Sequence, residues 1–167
     1  MKNPNSETTI EMQNVIITSD DLLNHWQGHR KVTRKVIEAF PEEELFNYSI
    51  GGMRPFAQLV MEMFGMAVPG MQGIVTRKWG KFSDTSDLQT KKDVLNRWDE
   101  TTVAINEYWA QIPEGRFQEH DVAFGQYAGQ IHTTLFYFID NEIHHRGQGY
   151  VYLRSLGIEP PAFWDRG

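Results

Sequence analysis

At 167 residues, with 40% hydrophobic and 23% charged content, the chain is long enough for one hydrophobic core and short for two. Its 16 Lys and Arg against 22 Asp and Glu give a net charge of −6, which excludes the counterion-release binding that draws a basic protein onto a phosphate backbone; nucleic acid is not an expected partner. There is no cysteine, so disulfides, thiolate ligands and a protein-borne thiol nucleophile are excluded, and any thiol chemistry must use a thiol from outside.

No apolar run approaches the roughly 18–20 residues of a membrane-spanning helix, and Met1–Ser6 lacks the apolar stretch of a signal peptide. A cytoplasmic protein with no membrane partner is expected. Residues 1–17 read as a polar tail with a short apolar patch at Val15, Ile16 and Ile17, leaving 18–167 for the folded domain. Thr18 and Asp21 resemble a capping box that opens a first helix, with Leu22, Trp26, His29, Val36 and Phe40 at helical spacing and Pro41 as the stop. After the Gly51-Gly52 turn, Pro55 suits the first turn of a second helix, in which Phe56, Leu59, Val60, Met63, Phe64 and Ala67 keep the amphipathic period to about Val68. Pro69-Gly70 should stop it, and 70–85 reads as a long crossover with Trp79 and Phe82 covering the core edge.

Ser86 and Gln89 resemble a second capping box, followed by a helix through Val94, Leu95, Trp98, Ile105, Tyr108 and Ile112 that ends at Pro113. Residues 114–129 read as another long connection, with no strand pattern. The last helix starts near Gln130, carries Leu135, Phe138, Ile139, Tyr150 and Leu153 on one stripe, and stops at Gly157 before Pro160-Pro161. The fold class is therefore all-α, an up-and-down four-helix bundle with long crossover connections.

Chemistry-bearing residues concentrate in the last helix. At about 100° per residue, Asn141, His145, Gln148 and Tyr152 share a stripe, and the i, i+4 pair Asn141 and His145 can reach one ion or ligand. Arg146 lies on the row beside them, either in a buried ion pair or against substrate. In the first helix His29 falls near the centre of the apolar stripe, where it must find a hydrogen-bond partner. Glu142 and His145 spell Glu-x-x-His, but a di-iron site needs two such motifs and two further carboxylates, which the chain does not offer. His120, His132 and His144 read as solvated.

The string from Asn141 through His145-Arg146-Gly147-Gln148 to Leu156-Gly157-Ile158 resembles the closing helix of the DinB/YfiT-like family of four-helix bundles, and the resemblance extends from about Asp20 to Trp164. It implies a metal site of three histidines, one on the second helix and two on the last, in family members that include thiol-dependent transferases. Here Glu62 stands where the resemblance implies the first histidine, Asn141 where it implies the second, and His145 alone matches. A carboxylate, an amide oxygen and an imidazole suit a harder ion than three imidazoles do, and they would acidify a bound water or thiol less. His29, if it reaches the same interior, makes a two-histidine, one-carboxylate set with Glu62 and His145. The alternative is a metal-free Glu62–His145 pair.

Two expectations follow. One is a divalent-metal enzyme (manganese, iron, nickel or zinc) acting on a small molecule with a low-molecular-weight thiol, either S-transferase or hydrolase. In it Glu62, Asn141, His145 and His29 hold the ion, and Arg146, Gln148 and Tyr152 stand near substrate. The other is a silent, metal-free bundle that binds a small ligand or serves as a scaffold. A homodimer is expected in either case, with Met66, Met71 and Trp79 offered as its interface.

Overall fold

The computed structural model describes residues 16–167, so most of the tail expected over 1–17 lies outside the described residues. Four long helices carry the fold: α1 (Ser19–Ala39), α3 (Phe56–Thr76), α4 (Lys91–Trp109) and α5 (Ile131–Ser155), with a short α2 (Glu42–Asn47) after the first. α1 opens on the expected box: Thr18 Oγ1 accepts from the Asp21 N–H, and the Asp21 carboxylate accepts from the Thr18 N–H, both at 3.1 Å. α4 opens four residues later than Ser86–Gln89 predicts, because Thr90 and Asp93 form the reciprocal pair while the Gln89 amide is used on the Ser86 carbonyl. It closes at Trp109, and bonds from the Ala110, Gln111 and Ile112 N–H groups to the Asn106, Tyr108 and Trp109 carbonyls carry the chain toward Pro113.

α1 and α3 each pack on both α4 and α5, which closes a four-membered ring of helices. The interior divides in two. Phe40, Phe56, Val60, Trp98 and Leu153 fill one end, and Trp26, Ala67, Met71, Ile105 and Leu135 fill the other. Met66 and Met71 are 7% and 0% exposed, so the interface offered for them is corrected: they pack the core rather than a surface.

Pro69 does not end its helix. A proline there removes the N–H that would bond the Gly65 carbonyl, normally a helix-breaking loss. Here the N–H of Ser83, returning from the crossover, donates to that carbonyl at 3.0 Å. The freed acceptor is satisfied from outside, and α3 continues to Thr76 before Arg77 closes it in the left-handed conformation. Gly70 and Gly73 give the extended part its neighbours: a β-carbon at either position would collide with the rings of Phe138 and Trp79 respectively. The full 21 residues are long and apolar enough to cross a membrane, contrary to the expectation from broken runs, but 67% of the apolar window is buried inside the bundle.

The second crossover also departs from expectation. A 3-10 turn (Arg116–Gln118) leads into an antiparallel hairpin, β1 (His120–Ala123) with β2 (Tyr127–Gln130), in the register His120 to Gln130 and Ala123 to Tyr127. Phe124 and Gly125 turn the chain at φ 54° and 71°. Arg116, 1% exposed, fixes this segment to the end of α3. Its Nε donates to the Ile74 carbonyl at 2.8 Å, and its other nitrogens pair with Glu119 and Asp121.

Candidate functional site

Two polar clusters lie along α5, and residue order along that helix decides which is which. Glu142 and Arg146 face α1. The Glu142 carboxylate is 2% exposed and accepts from Thr33 Oγ1 at 2.7 Å and Trp26 Nε1 at 3.2 Å, with Arg30 NH1 3.7 Å away. Arg30 stacks 4.0 Å over the Trp98 ring and donates to Thr102 and to the Trp98 carbonyl. Burial pulls Arg30 down to about 10, against the pull of Glu142, so it stays cationic at neutral pH. Burial pushes Glu142 upward, while Arg30, Thr33, Arg146 and Trp26 act against that push.

Arg146 donates to the His29 carbonyl at 3.0 Å, to Thr33 Oγ1 at 3.2 Å and to His29 Nδ1 at 2.9 Å. Arginine has no acceptor, so His29 Nδ1 carries no proton and the ring is the neutral Nε2–H tautomer. Burial, then the charges of Arg146, Arg166 and His25, holds His29 at about 3. Two expectations are corrected here. His29 does not join Glu62 and His145, because Arg146 occupies its Nδ1 and the ring proton occupies its Nε2. Arg146 is a buried structural cation, satisfied by α1, and not a substrate contact.

Asn141 and His145 face α3 and meet Glu62 there. His145 Nε2 is 3.0 Å from Glu62 Oε1, and Asn141 Nδ2 is 3.3 Å from the same oxygen and 3.2 Å from the imidazole nitrogen. The three residues expected to converge do so. A fourth residue, not singled out from the sequence, completes the cluster: Arg54 NH2 lies 2.6 Å from Glu62 Oε2, and the Arg54 carbonyl accepts from the Tyr152 hydroxyl at 2.9 Å. Burial alone would raise Glu62, but hydrogen bonds from His145, Arg54 and Asn141 outweigh it and hold the carboxyl at about 2. Tyr152, 0% exposed, therefore anchors a backbone rather than facing substrate, and Gln148 is spent on exposed His144. His132 is half-buried, with Nδ1 3.0 Å from the Phe117 carbonyl, which corrects its reading as solvated.

The spacing of the Glu62, Asn141 and His145 atoms matches neighbouring ligands of one ion, which stand about 3.0–3.4 Å apart when each lies about 2.1 Å from the metal. The rest of the set does not fit. Arg54 already answers the only carboxylate charge at 2.6 Å. Asn141 turns its nitrogen inward, so its amide would have to flip to offer an oxygen. His145 Nδ1 is buried with no hydrogen-bond partner, whereas ligating imidazoles almost always have the second nitrogen held. Among the described residues no three His, Cys, Asp or Glu side chains converge on one point.

Glu62 and Arg54 also line a cleft of about 800 Å³. Its walls are α3 at Met61, Gly65 and Met66, α5 at Thr133, Thr134 and Phe138, the hairpin, and the 82–85 segment that Pro69 makes it possible to dock. Phe82, Tyr127 and Tyr137 stand more than half exposed at its edges, and the Phe82 and Phe124 rings lie 4.7 Å apart.

Similar architecture occurs in a DinB-like protein from Bacillus cereus, with a TM-score of 0.72 and 17% identity over 86% of this chain and 95% of that one. A DinB-like protein from Bacillus subtilis matches with a TM-score of 0.67 and 17% identity over 85% and 96% of the two chains. At that identity the likeness shows the fold alone. No protein of curated function matches the chain. The profile of the DinB family matches residues 11–165, nearly the whole sequence, and with the bundle it describes this chain belongs to the DinB family.

Proposed function

We propose that this protein binds a small molecule in the cleft between α3, α5 and the hairpin, without a metal ion. The observation that carries this reading is the state of Glu62. Three donors, from Arg54, His145 and Asn141, already occupy both of its oxygens, beside a space of the size that takes a drug-sized ligand. The cleft is lined mostly by apolar and aromatic surface, with Arg54 and Glu62 as its charged groups among the described residues and neutral polar side chains such as Ser83, Thr133 and Thr134 on other walls, the composition of a binding pocket.

Thr134→Trp places an indole in the cleft from a half-buried position on its wall. Titration with N-phenyl-1-naphthylamine, whose fluorescence rises in an apolar pocket, should give saturable binding to the wild type and a loss of about tenfold or more in the variant. Equal binding by both proteins would overturn the reading.

The second reading is the metal-dependent enzyme, an S-transferase or hydrolase using an external thiol. It is supported by the 3.0–3.3 Å spacing of the Glu62, Asn141 and His145 atoms. Elemental analysis of purified protein separates the two. Less than about 0.1 equivalent of manganese, iron, nickel or zinc supports the metal-free site, and near-stoichiometric metal that is lost in His145→Ala supports the enzyme.

A further inference from the structure

Among the described residues, Arg54 and Glu62 are the charged groups lining the cleft, and their hydrogen-bonding capacities are used very unequally. A carboxylate only accepts, and Glu62 receives Arg54 on one oxygen and His145 and Asn141 on the other. A guanidinium offers five N–H donors in a rigid fork. Arg54 has Glu62 as its ion-pair partner among the described residues, through one nitrogen, and its side chain is 50% exposed. Tyr152 fixes its backbone from within the core. The charged pair in the cleft therefore has unused donors and a satisfied acceptor.

The rest of the lining differs in kind. Phe82, Phe124, Tyr127 and Phe138 present ring surface, Met61 and Met66 add apolar contact, the remaining polar side chains are neutral, and among the described residues no second cation or carboxylate lines the walls. A ligand that fills this volume places an apolar or aromatic body there and its head group at Arg54.

We propose that the cleft selects amphipathic anions, with a carboxylate or sulfonate head held by the free donors of Arg54 and an aromatic or alkyl body against the ring-lined wall. This rests on the small-molecule reading above and adds the sign of the ligand. The net charge of −6 does not oppose it at the site, since exposed charges more than about 8 Å away are largely screened at physiological salt. Glu62 acts here as a competitor: it occupies a guanidinium nitrogen that the ligand would otherwise use.

Two dyes of nearly the same shape test the proposal: 8-anilinonaphthalene-1-sulfonate, which is anionic, and neutral N-phenyl-1-naphthylamine. The wild type should bind the anionic dye about tenfold or more tightly than the neutral one, the effect of a charge-assisted hydrogen bond. Arg54→Gln should bring the anionic dye down to the affinity of the neutral one, and Arg54→Lys should keep part of the preference. Glu62→Gln, which releases the guanidinium, should tighten the anionic dye several-fold.

Unchanged anion affinity in Arg54→Gln, or weaker anion binding in Glu62→Gln, overturns the anion preference while leaving a binding cleft. If Arg54→Gln does not fold, the opposite signs expected for Arg54→Lys and Glu62→Gln still decide. Binding of both dyes that Thr134→Trp leaves intact, or binding of neither, removes the cleft reading and this proposal with it.

Discussion

The cluster sealed between α1 and α5 and the cluster at the cleft use the same kinds of side chain: an arginine, a glutamate and a histidine. Their surroundings separate them. Glu142, Arg30, Arg146 and His29 are each 4% exposed or less, and they bond to Thr33, Trp26, Thr102, backbone carbonyls and one another, out of reach of a ligand. At the cleft, Glu62 and Arg54 are 34% and 50% exposed, and Arg54 keeps donors in reserve. Residue type alone cannot tell a fastening from a recognition site. What tells them apart is whether polar capacity is left over where a ligand can reach it.

The largest expected difference comes from deleting the two carboxylates. Glu142→Ala leaves Arg30 buried beside an empty place and should cost about 3–5 kcal/mol in chemical denaturation, whereas Glu62→Ala should cost no more than about 1 kcal/mol. Similar losses for both would erase the distinction.

Acid should separate the clusters next. His29 sits at about 3 in the fold, below its ordinary value, because of burial and then Arg146. The unfolded chain therefore takes up the proton first. That contribution to stability is complete above about pH 6.5 and declines as pH falls toward 3, by up to about 1.4 kcal/mol per unit. In His29→Asn the amide oxygen replaces Nδ1 as acceptor for Arg146 without titrating, so urea midpoints should lose most of their slope between about pH 6.5 and 4.5.

A smaller effect belongs to the cleft. Glu62 is depressed to about 2, so its contribution is present above about pH 4.5 and lost on the way down to 2. Solvent screens this half-open group, and Glu62→Gln should remove no more than about 1 kcal/mol of acid sensitivity over that window. A steeper loss would mean that the site is closed more tightly than its exposure indicates.

Much of this molecule was legible before its structure. The last-helix string carried the family, and helical spacing with the family pattern brought Glu62, Asn141 and His145 together, as they stand. What escaped depended on partners distant in sequence. Pro69 signals a stop by every local rule, and only the N–H of Ser83 cancels the signal. The hairpin turns on Phe124-Gly125 rather than the Asn-Gly or Asp-Gly that would have marked it. His29 and Arg146 were recognised as residues that need partners, and each turned out to be the other's. Arg54 lies beside Pro55 with no periodic neighbour to mark it, and its importance comes from the cleft that a later part of the chain builds.

The imino acid at position 69 carries a further consequence. Alanine there would supply an N–H of its own for the Gly65 carbonyl, a gain for helix propagation and for any screen that rewards heat resistance. It would also compete with the Ser83 N–H for that carbonyl and so loosen the flank on which Phe82 is mounted. Under the cleft reading proposed above, resistance to heat and ligand binding are thus opposed at one residue, and a thermostabilised descendant carrying that exchange is expected to bind the cleft dyes less tightly.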